Sequence, residues 1–69
     1  MRLNKYRFIF EGNRSQTVAT PDSDDPISDG AEIAITMQNR VGGSAKIIRS
    51  MFFEDGVWVD VPPPKRLPK

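Results

Sequence analysis

Hydrophobic positions along this chain follow two periods, and the switches between them outline the fold. Residues 4–10, Asn4-Lys5-Tyr6-Arg7-Phe8-Ile9-Phe10, alternate: Tyr6, Phe8 and Phe10 share one face, and Lys5, Arg7 and Ile9 the other. That is the period of a β-strand. Glu11-Gly12-Asn13-Arg14-Ser15 reads as a turn, and Gln16-Thr17-Val18-Ala19-Thr20 as a second short strand. A three-residue loop at Gly12–Arg14 pairs Phe8 with Val18 and buries both, so that register is expected. Pro21-Asp22-Ser23-Asp24-Asp25-Pro26 then breaks the strand.

From Pro26 the period lengthens. Ile27, Ala31, Ile33, Ala34, Ile35, Met37 and Val41 fill one arc of a helical wheel, with only Gly30 and Gln38 intruding. Ser28, Asp29, Glu32, Thr36, Asn39 and Arg40 fill the complementary arc. The ends agree: Asp25 can cap the helix, Pro26 suits its first position, and Asp29 and Glu32 lie near the positive end of the dipole. Arg40 falls in the last turn, and Gly42-Gly43 supply a stop. The alternation of Ala31, Ile33, Ile35 and Met37 also fits a strand, which would make the chain a small all-β barrel; the longer helical window favours the helix.

Two further strands follow, Ala45–Phe53 and Val57–Val61. Asp55-Gly56 between them suits a two-residue type I′ turn, which fixes the facing pairs Glu54 with Val57, Phe53 with Trp58 and Phe52 with Val59. Pro62-Pro63-Pro64-Lys65-Arg66-Leu67-Pro68-Lys69 cannot join a sheet ladder. Residues 1–61 are therefore expected to form one domain and residues 62–69 a Pro-rich, basic, flexible tail. The fold class is α+β, a two-layer ββαββ arrangement with a four-stranded antiparallel sheet and one helix packed on one face. The helix is expected to cover Tyr6, Phe8, Phe10, Val18, Ile48, Phe52, Val57, Val59 and Val61. The opposite face then displays Arg7, Ile9, Ile47, Arg49, Met51, Phe53, Trp58 and Asp60.

Composition narrows the chemistry. A chain of 69 residues buries only about 60% of its unfolded surface, so association with a second copy would add core that one domain lacks. With no cysteine and no histidine, disulfides, thiolate nucleophiles, imidazole acid–base chemistry and ordinary zinc sites are excluded. No apolar run is long enough for a transmembrane helix. The N-terminus leads into a strand without a signal-peptide core, so a cytoplasmic location is expected. The net charge of +1 hides an asymmetry: with Lys65, Arg66 and Lys69 set aside, residues 1–61 carry seven basic and nine acidic residues. A nucleic-acid binder ordinarily has a basic excess on its folded part.

Candidate sites follow from these placements. Met51, Phe53, Trp58, Ile9 and Ile47, with Arg7 and Arg49, form an apolar and aromatic sheet face left over after the core is built. These residue types are enriched where binding energy concentrates, although a Phe53–Trp58 pair also stabilises a hairpin by itself. The same aromatics and arginines could stack unpaired bases, but no RNP-type motif accompanies them, and Asp60 shares the face. Asp22, Asp24, Asp25, Asp29 and Glu32 do not match an EF-hand, since a loop starting at Asp22 has Ile27 at position 6 and Ile33 at position 12. Pro62-Pro63-Pro64-Lys65 is only loosely like a polyproline ligand, and Asn13-Arg14-Ser15, a sequon by pattern, marks a turn. No serine stands in a nucleophile motif and no phosphate loop follows a strand. No catalytic, metal or cofactor site is expected.

In size and layout such a chain is similar to small proteins carried by phages and mobile elements, including inhibitors such as anti-CRISPR proteins. That architectural resemblance implies an inhibitor or adaptor. The expected function is a small non-catalytic module that docks a protein partner through the sheet face. A self-associating subunit and a single-stranded nucleic-acid binder are the alternatives.

Overall fold

A computed structural model describes residues 3–67. Met1, Arg2, Pro68 and Lys69, the outer ends of the expected domain and tail, lie outside the described residues. Strands β1 (Leu3–Phe10) and β2 (Arg14–Pro21), helix α1 (Pro26–Arg40) and strands β3 (Ile47–Glu54) and β4 (Val57–Val61) follow in that order. The sheet is open, antiparallel and ordered β2-β1-β3-β4, so the barrel alternative is set aside and residues 31–38 are helical.

Local chemistry sets the punctuation. Asp55 and Gly56 both adopt positive φ, 50° and 84°, and the hairpin pairs Glu54 with Val57, Phe53 with Trp58 and Phe52 with Val59, as the turn requires. Asp25 caps α1 by accepting from the Ser28 N–H at 3.4 Å, with Pro26 in the first turn. At the other end the Gly43 N–H donates to the Gln38 carbonyl and the Gly42 N–H to that of Asn39, the bond pair of a Schellman stop.

The first hairpin departs from expectation. Phe10 pairs with Arg14, Phe8 with Gln16 and Tyr6 with Val18, so the loop is Glu11–Asn13 rather than Gly12–Arg14. The left-handed positions are Gly12 (φ 91°) and Asn13 (φ 63°), which tolerate that conformation better than arginine does, so Arg14 joins the ladder. Because Phe8 moves by two positions, Val18 keeps its place on the core face.

The core is narrower than the pattern suggested. Phe8, Phe10, Ala31 and Ala34 are fully buried, and Tyr6 and Val18 nearly so. The buried stripe of α1 is Ser28, Gly30, Ala31, Ala34 and Gln38, while Ile33, Met37 and Val41 are exposed. Small residues let the helix backbone settle onto the aromatic rings of β1, which supply the volume. Gln38, expected as an intruder, is fully buried, and its Oε1 accepts from Gln16 Nε2 at 3.2 Å. The helix seats most closely on β2 and β1, because one helix about 10 Å wide cannot cover four strands spaced about 4.8 Å apart. Expected core residue Val57 is consequently exposed, and Val59 and Val61 are half-buried; Ile48 is exposed too, through a slip in the β1–β3 register. Residues 62–67 add no strand. They run to the N-terminus of α1, where Pro64 is buried and the Arg66 N–H donates to Ser28 Oγ at 3.2 Å. The Arg66 guanidinium meets Asp25 and Asp29, each at 3.4 Å.

Candidate functional site

The sheet face away from α1 is built by alternation. Since Tyr6, Phe8 and Phe10 point to the core, Lys5, Arg7 and Ile9 of β1 point outward, and the ladders carry that parity across the sheet. Arg7 faces Met51, Ile9 faces Arg49, Met51 faces Asp60 and Phe53 faces Trp58. The structure thus brings Ile9, Arg7, Arg49, Met51, Phe53 and Trp58 together on one surface, with Asp60 among them. Thr17 of β2 completes it beside Arg7, donating no charge but accepting from Arg7 Nε at 3.3 Å.

Ile47 does not join them. Between Ile9 and Phe10 the β1–β3 register slips by one, so that Ile9 faces Arg49 and Phe10 faces Ile47. Ile48 is the extra residue of this β-bulge. The slip turns Ile47 to the helix side, where it packs half-buried against the core, and leaves Ile48 exposed at 54%. A strictly alternating reading puts the two isoleucines on the wrong faces.

The outer face is organised by cations lying on rings. The Arg7 guanidinium sits 4.3 Å from the Trp58 ring centroid, and the Lys5 ammonium 5.1 Å from that of Phe53. The two rings meet edge to face at 5.1 Å. Such contacts draw on the negative face and positive edge of aromatic rings. Lys5 and its contact were missed in the sequence. The alternation already placed it on this face, but its reach to Phe53, on a neighbouring strand, needs the tertiary register. Beside this stack, Arg49 and Asp60 form a two-pronged pair at 2.6 and 3.1 Å. The hydrogen bond and charge of Arg49 hold the Asp60 carboxyl below the ordinary carboxylate range, and Asp60 in turn raises Arg49. Among the ion pairs of the described residues, none involves Lys5 or Arg7. Among the described residues, the partners of these two cations are rings and a hydroxyl.

Elsewhere three residues of the acidic stretch are engaged locally. Asp22 accepts from Asn4 Nδ2 at 2.7 Å, Asp25 caps α1, and Asp29 accepts from Ser23 Oγ at 2.6 Å. Bonding from Ser28, against the opposing effect of burial, and then Arg66 lower the Asp25 carboxyl. A groove of about 470 Å³ opens between the helix and the second hairpin, with Tyr6, Ile27, Phe52 and Val61 as its apolar lining and Asp24, Asp25 and Lys65 at its rim. Burial first, and then Asp25 and Asp22, push the Tyr6 hydroxyl above its usual value. No helix of the described residues is long and apolar enough to cross a membrane. In comparisons with known proteins, no family model, no curated protein and no solved structure matches this chain.

Proposed function

We propose that this protein is a small non-catalytic binding module, an inhibitor or adaptor, that docks a protein partner through the outer face of its sheet. One observation carries the reading: Ile9, Met51, Phe53 and Trp58 share one surface flanked by Lys5 and Arg7, and both α1 and the Arg66 contact to it lie on the other side. Aromatic and arginine side chains arranged in this way are the usual anchors of protein interfaces. The complementary partner surface is apolar at its centre, with carboxylates at the rim that meet Lys5 and Arg7.

Single-stranded nucleic acid fits the same face less well. The ring faces on which bases would stack carry Lys5 and Arg7, and Arg49 is already bonded to Asp60. A photo-crosslinking residue at Phe53, with one at the exposed helix position Glu32 as control, identifies the protein that lies on this face. Binding of that protein should weaken at least tenfold in Trp58→Ala while the fold, read by circular dichroism, persists. Crosslinking at Glu32 alone, or Trp58→Ala binding as tightly as the natural chain, would overturn the proposal. So would tight, steeply salt-dependent binding of a single-stranded oligonucleotide that Trp58→Ala abolishes.

A further inference from the structure

We infer that the free edge of β2 and the flank of α1 above it form the contact surface for a second copy of this chain, distinct from the outer sheet face. The sheet has two edges, and they are treated differently. Strand β4 has five residues, includes Asp60 and runs straight into Pro62-Pro63-Pro64. Short length, charge and proline are the devices that keep an edge from pairing. Strand β2 has eight residues, and its only charge, Arg14, and only proline, Pro21, stand at its two ends. Among the described residues, no main-chain bond outside the helix and ladders involves β2, so its outer row of N–H and C=O groups is unpaired.

The helix adds an apolar strip on the same side. Gly30 abuts Val18 of β2, and Gln38 bonds Gln16 of β2, whereas Ser28 on the opposite flank bonds Arg66. Continuing from Gly30 along its flank come Ile33, Met37 and Val41, one turn apart, exposed at 45%, 38% and 56%. An eight-residue unpaired edge thus lies below three exposed apolar side chains. The surface is self-complementary under a two-fold axis, which is what a closed dimer of identical chains requires.

Charge fixes the register. If β2 pairs antiparallel with its copy about Val18, residues facing the helix layer stay on that layer, because the pairing joins even positions to even positions. Arg14 then lies opposite the partner's Asp22, and Asp22 opposite the partner's Arg14. The helix is seated chiefly on β2, so pairing of the two free edges brings the two helices side by side along their exposed apolar strips. The product is one eight-stranded sheet with both helices on one side and both outer faces on the other, which would make the docking module bivalent.

Sedimentation equilibrium across a concentration series tests this. The natural chain should approach twice its 7.8 kDa mass. Met37→Lys, Arg14→Asp and Asp22→Arg should each weaken association at least tenfold, and the exchange Arg14→Asp/Asp22→Arg should restore it. Circular dichroism confirms that each variant is folded. The exchanged pair guards against fold loss as an explanation, because restored association needs a folded chain. A monomer at every concentration overturns the inference. A dimer indifferent to Met37→Lys and to the charge variants also overturns it, and if Trp58→Ala splits that dimer, self-association belongs to the outer face instead.

Discussion

The seat of α1 on β2 can be tested at Gly30, a mid-helix glycine where propensity alone would place alanine. A methyl group there would stand 3.1 Å from Val18 Cγ2, 3.4 Å from Tyr6 Cδ2 and 3.5 Å from Phe8 Cε2. The last two are ordinary contacts, and the first is too close by a few tenths of an ångström. In Gly30→Ala the helix gains about 0.8–1.0 kcal/mol of propensity, and burial of the methyl contributes about 0.8 kcal/mol. Against this stands overpacking strain of about 1–3 kcal/mol, because Val18 is β-branched and stiff about χ1. The terms largely offset one another, and Gly30→Ala should lie within about 1.5 kcal/mol of the natural chain. In a Val18→Ala background the clash is gone, so the same substitution should stabilise by about 1–2 kcal/mol. Urea unfolding followed by the fluorescence of Trp58, the single tryptophan, measures all four corners of the cycle. Equal effects of Gly30→Ala in the two backgrounds would refute the reasoning, since Val18 would then not be what limits this site.

Two further outcomes follow from the charged contacts. Asp60 is held below the ordinary carboxylate range by Arg49, so the pair's contribution to stability is complete above the unfolded carboxylate pKa. It is lost as pH falls through the depressed folded value. A carboxyl-carbon NMR titration should show the Asp60 midpoint rising toward its ordinary value in Arg49→Gln, and an unmoved midpoint would contradict the pairing. Removal of residues 62–69 takes away buried Pro64 and the Arg66 contacts to Ser28, Asp25 and Asp29. The urea midpoint should fall, while the Asp25 carboxyl rises only part of the way, because the Ser28 bond is its larger cause; an unchanged midpoint would show that the segment does not hold to the helix.

What the amino-acid sequence determined by itself was local. The Asp55-Gly56 turn, the Asp25 cap, the glycine stop and the alternation of β1 depend on the conformational preferences of a few adjacent residues, and with them came the order and type of every element. The outer face was legible for the same reason: parity set by buried Tyr6, Phe8 and Phe10 placed Arg7 and Ile9, and the turn placed Phe53 and Trp58. Tertiary structure decided whatever depends on volumes and distances between segments. The bulge that exchanges Ile47 for Ile48 lies in a run with no turn residue to mark it, and appears only where β3 meets β1. The helix seats its small residues at the centre of the contact, with Ile27 and Ile35 at the margin of the core and Ile33 turned out, because the aromatic rings beneath already fill the layer. It covers half the sheet because a helix is about two strands wide. The stacking of Arg7 on Trp58 and the anchoring of Arg66 at the helix N-terminus join residues far apart in the chain, and no local pattern encodes a contact whose partner is chosen by the fold.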